Sequence, residues 1–193
     1  MKKILKDALV LMAFSLVLGF VLGAVYKITE EPIAEAALRK EMEAYKVVFE
    51  TADTFVPMEI DAAKAEAVMT AGNYPDTINN ALEAVDADGN VIGYVVTVTT
   101  KDGYGGGIVL SIGIQNDGTV NGFSPVSKGG ETIFKAFEPT FADQFVNVKT
   151  DKFVEGENVN YDSVAGASMT ADAIVNACNA AIAYVNELKG GAQ

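Results

Sequence analysis

Val91-Ile92-Gly93-Tyr94-Val95-Val96-Thr97-Val98-Thr99-Thr100 consists almost wholly of β-branched and aromatic residues, side chains that lose rotamer freedom in a helix and pack well on a pleated surface. The run predicts a strand. On its N-terminal side, Asp88-Gly89-Asn90 is a turn signal and Leu82 to Val85 a second apolar run, which together predict a β-hairpin. On its C-terminal side the pattern repeats, with Ile108 to Ile114, a turn at Asn116-Asp117-Gly118, and Thr119 to Val126. The two hairpins are joined by Asp102-Gly103-Tyr104-Gly105-Gly106-Gly107. Its glycines permit positive φ and close backbone approach, which suits either a flexible connector or a loop packed against a flat ligand.

Helical patterns flank this β region. The strongest begins at Thr170, where Ile174, Val175, Cys178, Ile182, Val185 and Leu188 form a continuous apolar stripe that ends at Lys189 with Gly190-Gly191 beyond. Cys178 lies on that stripe and reads as a buried, inert thiol. Ser168 or Thr170 would cap the helix, and Asp172 in the first turn would face the positive end of its dipole. Pro139 to Phe145 predicts a short helix with Phe141 and Phe145 on one face, and Met58 to Gly72 an Ala-rich one that stops before Asn73-Tyr74-Pro75. The fold class expected is α+β, with antiparallel hairpins and a C-terminal helix in one domain.

Ahead of that domain, Ala8 to Tyr26, ALVLMAFSLVLGFVLGAVY, carries no charge. At about 1.5 Å per helical residue it reaches roughly the thickness of a hydrocarbon core. A cleaved signal peptide would show a shorter apolar region and a small-x-small exit, so a transmembrane helix is predicted. Lys2, Lys3 and Lys6 precede it, while Glu30, Glu31 and Glu35 crowd its far side with Lys27. The positive-inside bias then puts the N-terminus in the cytoplasm and the remainder outside. Gly19 and Gly23 form a small-xxx-small pair suited to close approach of a partner helix. From Glu31 to Phe49, Pro32 suits a first turn, and Ile33, Leu38, Met42, Tyr45 and Phe49 recur at mostly helical spacing. The division expected is 1–26 for the cytoplasmic N-terminus and anchor, 27–50 for a connecting helix and 51–193 for an extracytoplasmic domain.

Charge narrows the function. The 193 residues include 14 Lys+Arg against 26 Asp+Glu, a net charge of −12. Three of those lysines and one aspartate precede residue 27, so the remainder carries 11 basic against 25 acidic side chains, a net −14. Such a surface repels phosphate backbones, which argues against a nucleic-acid partner. With no His and one Cys, the usual ligands of zinc, iron–sulfur clusters and haem are missing, as is the base of a Ser-His-Asp hydrolase. Cys178 has no partner for an internal disulfide.

Asp162-Ser163-Val164-Ala165-Gly166-Ala167-Ser168 sets small residues and hydroxyls before the last helix. Capping accounts for one hydroxyl, but the run as a whole resembles the flavinylation sequon Asp-x-x-Ser/Thr-Gly-Ala-Thr/Ser of the FMN-binding domain family. The resemblance covers nearly the whole chain, in order: an N-terminal span, the Gly103 to Gly106 loop, the Asn116 to Thr119 turn, and Glu131-Thr132. That order is similar to the G subunit of Rnf electron-transport complexes and to the related C subunit of sodium-pumping NADH:quinone oxidoreductases. Ala165 stands where the family usually has Ser or Thr, and Ser168 where it usually has Thr. Glu131-Thr132-Ile133-Phe134-Lys135-Ala136 replaces the common Glu-Thr-Pro-Gly-Leu-Gly.

The resemblance implies FMN joined through its phosphate to Ser168 by a flavin transferase, with Thr170 as helix cap and nearest substitute hydroxyl. It implies a cofactor-binding set of Asp162, Gly166, Ala167, Ser168, Met169, Thr170, Tyr104, Gly105, Glu131 and Thr132, with Met169, Tyr104 and Phe134 as candidates to cover the ring. No side chain is then needed as acid or base, because the flavin carries the redox chemistry. A bond also prevents loss of the cofactor by dilution, and the amides opening the last helix suit a phosphate. The function implied is that of an electron-carrier subunit of an ion-translocating ferredoxin:NAD oxidoreductase, not catalytic alone and working among other integral membrane subunits. Alternatives are a subunit of a sodium-pumping NADH:quinone oxidoreductase, a stand-alone extracytoplasmic flavoprotein, or a non-redox tethered scaffold or ligand-binding domain in which Ser168 only caps the helix.

Overall fold

The computed structural model describes residues 2–155 and 161–190, and the chain divides into two compact units, Met1–Lys40 and Glu41–Gln193. Helix α1, Lys2–Val48, makes up the described part of the first and continues into the second. Its most apolar 18-residue window has a mean hydropathy of 2.6, and it is long and apolar enough to cross a membrane. Pro32 lies inside this helix rather than opening a new one. A proline removes one helical hydrogen bond and crowds the preceding turn. Strong helix formers follow it in Glu35-Ala36-Ala37-Leu38-Arg39-Lys40, and their propensity carries the helix on.

The second unit is built on a six-stranded antiparallel sheet in the order β1-β2-β3-β4-β5-β6. The strands are β1 Thr54–Pro57, β2 Thr77–Val85, β3 Val91–Thr100, β4 Ile108–Gln115, β5 Thr119–Ser127 and β6 Val148–Lys149. Both predicted hairpins are present. β2 starts earlier than the sequence indicated, because Asn79 and Asn80 interrupt its apolar pattern, and the Asn80 amide donates to the Tyr45 hydroxyl at 3.3 Å. The short strands β1 and β6 were not foreseen.

Each face of the sheet buries its own core. On one face Val96, Val98, Leu110 and Ile112 meet α2, Ala62–Gly72, and α4, Ser168–Gly190. On the other, Val95, Leu82 and Ala84 meet Tyr45, Val48 and Phe49 from the end of α1 and just beyond. Gly113 permits that second contact, since a Cβ there would stand 2.5 Å from the Val48 carbonyl oxygen.

α2 begins at Ala62 rather than Met58, because the Asp61 carboxylate accepts from the Ala63 and Lys64 amides at 3.0 and 3.2 Å and fixes the start. Asn73, at φ 52°, closes it. α3, Pro139–Ala142, runs into a 3₁₀ turn at Asp143–Phe145, and the buried rings of Phe141 and Phe145 lie 5.0 Å apart. α4 buries its predicted stripe, with Cys178 inside, where burial pushes the thiol pKa well above its usual range. It runs to Gly190, and Gly191 lies outside the described residues.

Asn179, buried on α4, accepts from the Phe153 amide at 2.7 Å and donates to the Phe153 carbonyl at 3.0 Å. Asn179→Ala leaves both backbone groups unpaired in the core and is expected to lower unfolding free energy by about 2 kcal/mol, read by urea denaturation. An unchanged midpoint and slope would show that the clamp contributes nothing.

Candidate functional site

Two glycine turns meet at one end of the sheet. The β3–β4 connection packs against the turn after β5, so closely that a Cβ on Gly105 would run into the Gly130 backbone and one on Gly129 into the Gly106 carbonyl. The connection is thus a packed loop, and it leaves Tyr104 72% exposed. Glu131 follows the second turn and is only 6% exposed. Its carboxylate accepts from the Gly105 amide at 2.8 Å and, through the other oxygen, from the Thr170 hydroxyl at 2.6 Å. One side chain therefore ties the glycine loop to the start of α4.

The start of α4 is set by a tight turn. Gly166 adopts φ 82°, the Ala167 amide donates to the Val164 carbonyl at 3.1 Å, and the Ala171 amide donates to the Ala167 carbonyl at 2.9 Å. Ser168, Met169 and Thr170 are consequently the first three helical residues, and helix geometry gives their amides no intrahelical acceptor. This corrects the capping assignment. Thr170 lies inside the helix, 2% exposed, with its hydroxyl committed to Glu131. Asp172 falls beyond the first turn. Residue type alone suggested a hydroxyl cap, whereas the positive φ of Gly166 lets the helix start one residue after Ala167.

Two residues that the sequence did not mark out support this turn. Gln144 pairs with the Asp162 backbone, accepting its amide at 2.6 Å and donating to its carbonyl at 3.2 Å. Lys135 donates to the Ala165 carbonyl at 3.4 Å. Neither contact has a local sequence signal, since each joins segments far apart in the chain.

Between the glycine loop and α4 lies a cavity of about 380 Å³ lined by Tyr104, Glu131, Thr132, Ile133, Gly166, Ala167, Ser168, Met169 and Thr170. Most of the predicted site residues therefore come together. Gly105 acts from behind the wall through its bond to Glu131, Asp162 stands outside the lining, and Ile133 rather than Phe134 faces in. Phe134 instead carries the Lys128 ammonium 4.8 Å from its ring centre. The volume is that of a small-molecule pocket. Tyr104, Ile133 and Met169 offer exposed apolar surface for a ring system, and the free amides of α4 suit a phosphate. Both Glu131 oxygens are occupied by donors, so the chemistry of the lining fits FMN.

Residues 103–183 match the family described as FMN-binding domain, and residues 1–48 match the RnfG N-terminal region. The chain thus joins an RnfG-type N-terminal region to an FMN-binding domain. It is similar to the G subunit of the ion-translocating oxidoreductase complex of Methanosarcina acetivorans, 28% identical over 197 residues that cover 98% of both chains. It is also similar to the G subunit of the proton-translocating ferredoxin:NAD(+) oxidoreductase complex of Clostridium ljungdahlii, 26% identical over 90% of this chain and 86% of that one. The FMN-binding match contains the glycine loop, Glu131 and the start of α4. The RnfG N-terminal match coincides with α1, and the chain is a single-pass membrane protein.

Proposed function

We propose that this chain carries electrons within an ion-translocating ferredoxin:NAD oxidoreductase of the Rnf type, through FMN bound covalently by its phosphate to Ser168. The observation that carries the reading is the contrast between two hydroxyls. Ser168 is exposed at the cavity and opens α4, whereas Thr170 is buried and holds Glu131. The names borne by the two relatives support the complex. When bound, FMN supplies one- and two-electron redox chemistry. The chain's own residues bind and orient it, with the glycine loop and Glu131 fixing the wall and Tyr104, Ile133 and Met169 excluding water from the ring.

A flavin transferase makes the attachment. Esterification needs an activated donor, a flavin dinucleotide. The bond from phosphorus to the Ser168 oxygen forms as the P–O–P bridge breaks, a nucleoside monophosphate leaves, and the serine proton passes to solvent. The N-terminus lies in the cytoplasm and the FMN-binding domain on the other side of the membrane, among other integral membrane subunits of the complex.

The test is the full chain produced with its transferase, run on a denaturing gel and read by flavin fluorescence and peptide mass. Ser168→Ala is expected to abolish the fluorescent band, and Thr170→Ala to retain it with FMN mass on the Ser168 peptide. FMN on Thr170 would refute the assignment. A wild-type protein without bound flavin despite a competent transferase would instead support a tethered, non-redox domain.

A further inference from the structure

Given the covalent reading above, we infer that Lys135 is the counter-charge of the flavin phosphate, drawing the anion to Ser168 and then pairing with the ester. Lys135 opens the 3₁₀ turn Lys135–Phe137. Its ammonium lies 3.4 Å from the Ala165 carbonyl oxygen and 3.9 Å from where a Cβ on Gly166 would stand. It is therefore poised over the turn that delivers Ser168 to the cavity. The next residue, Ala136, is fully buried and Phe137 packs on the core, so the lysine's backbone is held while its exposed side chain is free to reorient.

Among the described residues Lys135 has no acidic partner. The ion pairs among the described residues are Lys27–Glu30 and Lys149–Asp117, and the one hydrogen bond Lys135 makes is long and to a neutral carbonyl. The surroundings require such a charge. The chain beyond the anchor carries −14, and Glu131 lines the same cavity. A phosphate brought to Ser168 meets repulsion that α4's amides alone must offset, unless a cation stands nearby. Lys128 lies over the Phe134 and Phe137 rings at 4.8 and 5.0 Å, whereas Lys135 contacts the sequon turn itself.

The experiment is a time course of flavin attachment to the full chain in detergent, with transferase and flavin dinucleotide supplied, read by in-gel fluorescence. Lys135→Gln is expected to slow attachment roughly fivefold, the scale of one exposed charge-assisted contact. Lys135→Glu should slow it further, and Lys135→Arg should restore it. Lys149→Glu makes the same charge change at a site paired with Asp117, and should attach flavin at the wild-type rate. Raising salt should shrink the difference between wild type and Lys135→Gln, which a purely structural role of the lysine would not produce. Equal rates for wild type and Lys135→Glu, or equal slowing by Lys149→Glu, overturns the inference while leaving attachment at Ser168 intact. A wild-type chain that gains no flavin overturns the covalent reading and the inference with it.

Discussion

Glu131→Ala is expected to lower the unfolding free energy by about 2 kcal/mol and to slow flavin attachment severely. Glu131 is 6% exposed, and its carboxylate accepts two hydrogen bonds from groups 26 and 39 residues away in sequence. Truncation strands the buried Thr170 hydroxyl, which costs about 1–3 kcal/mol, and releases the amide of the exposed Gly105. The loss reaches the site because the same side chain holds the glycine loop against α4. Glu131→Gln separates geometry from charge. The amide oxygen still accepts from Gly105, and the Thr170 hydroxyl can rotate to accept from the amide nitrogen, so this variant is expected to lose only about 1 kcal/mol and to load flavin well. Urea denaturation followed by tyrosine fluorescence, in a chain without tryptophan, measures the first effect, and in-gel flavin fluorescence the second. If the alanine and glutamine variants behave alike, the two hydrogen bonds are not what holds the wall.

That division between local and long-range information marks what the sequence could show. Val91–Thr100 is a strand with the bounds its β-branched run predicts, and the stripe from Ile174 to Val185 is buried along α4. Both are periodic signals written in adjacent residues. Pro32 misled for the opposite reason: a local breaker was outweighed by its helix-forming neighbours. At the site, Tyr104, Glu131, Gly166 and Ser168 were marked out by the family resemblance, and the cavity brings them together. The role of Thr170 was not legible, because its partner Glu131 lies on another element. Gln144 and Lys135 were invisible as site residues for the same reason, since nothing in either neighbourhood announces a bond to Asp162 or Ala165. Asp76 is a further case. It precedes β2 as an ordinary polar residue in sequence, yet it is 7% exposed.

The burial of Asp76 makes stability depend on pH. Among the described residues neither carboxylate oxygen has a hydrogen-bond partner, and the residue lines a cavity of about 270 Å³ whose other walls include Ile60, Ala65, Met69, Ile78 and the acidic Glu66. Burial, reinforced by the charge of Asp102, raises its pKa to about 6, while nearby Thr100 pulls the other way without forming a hydrogen bond of ordinary geometry. Tyr74 and Cys178 are pushed upward as well, chiefly by burial and then by Asp76 itself. The folded state therefore keeps a proton on Asp76 up to about pH 6, whereas an unfolded aspartate releases it near pH 4. Between those values the folded chain binds more protons, so this group's contribution to stability falls as pH rises; it is unpenalised below about pH 4 and fully penalised above about pH 6. Two pKa units correspond to about 3 kcal/mol. Asp76→Asn removes the titration, and any deficit of its amide is the same at every pH. The stability of the variant relative to wild type is therefore expected to rise by about 3 kcal/mol between pH 4 and pH 7.5, with the other carboxylates cancelling in the comparison. A difference that stays constant across that range would mean that Asp76 finds water or a cation in the folded protein and ionises at its ordinary pKa.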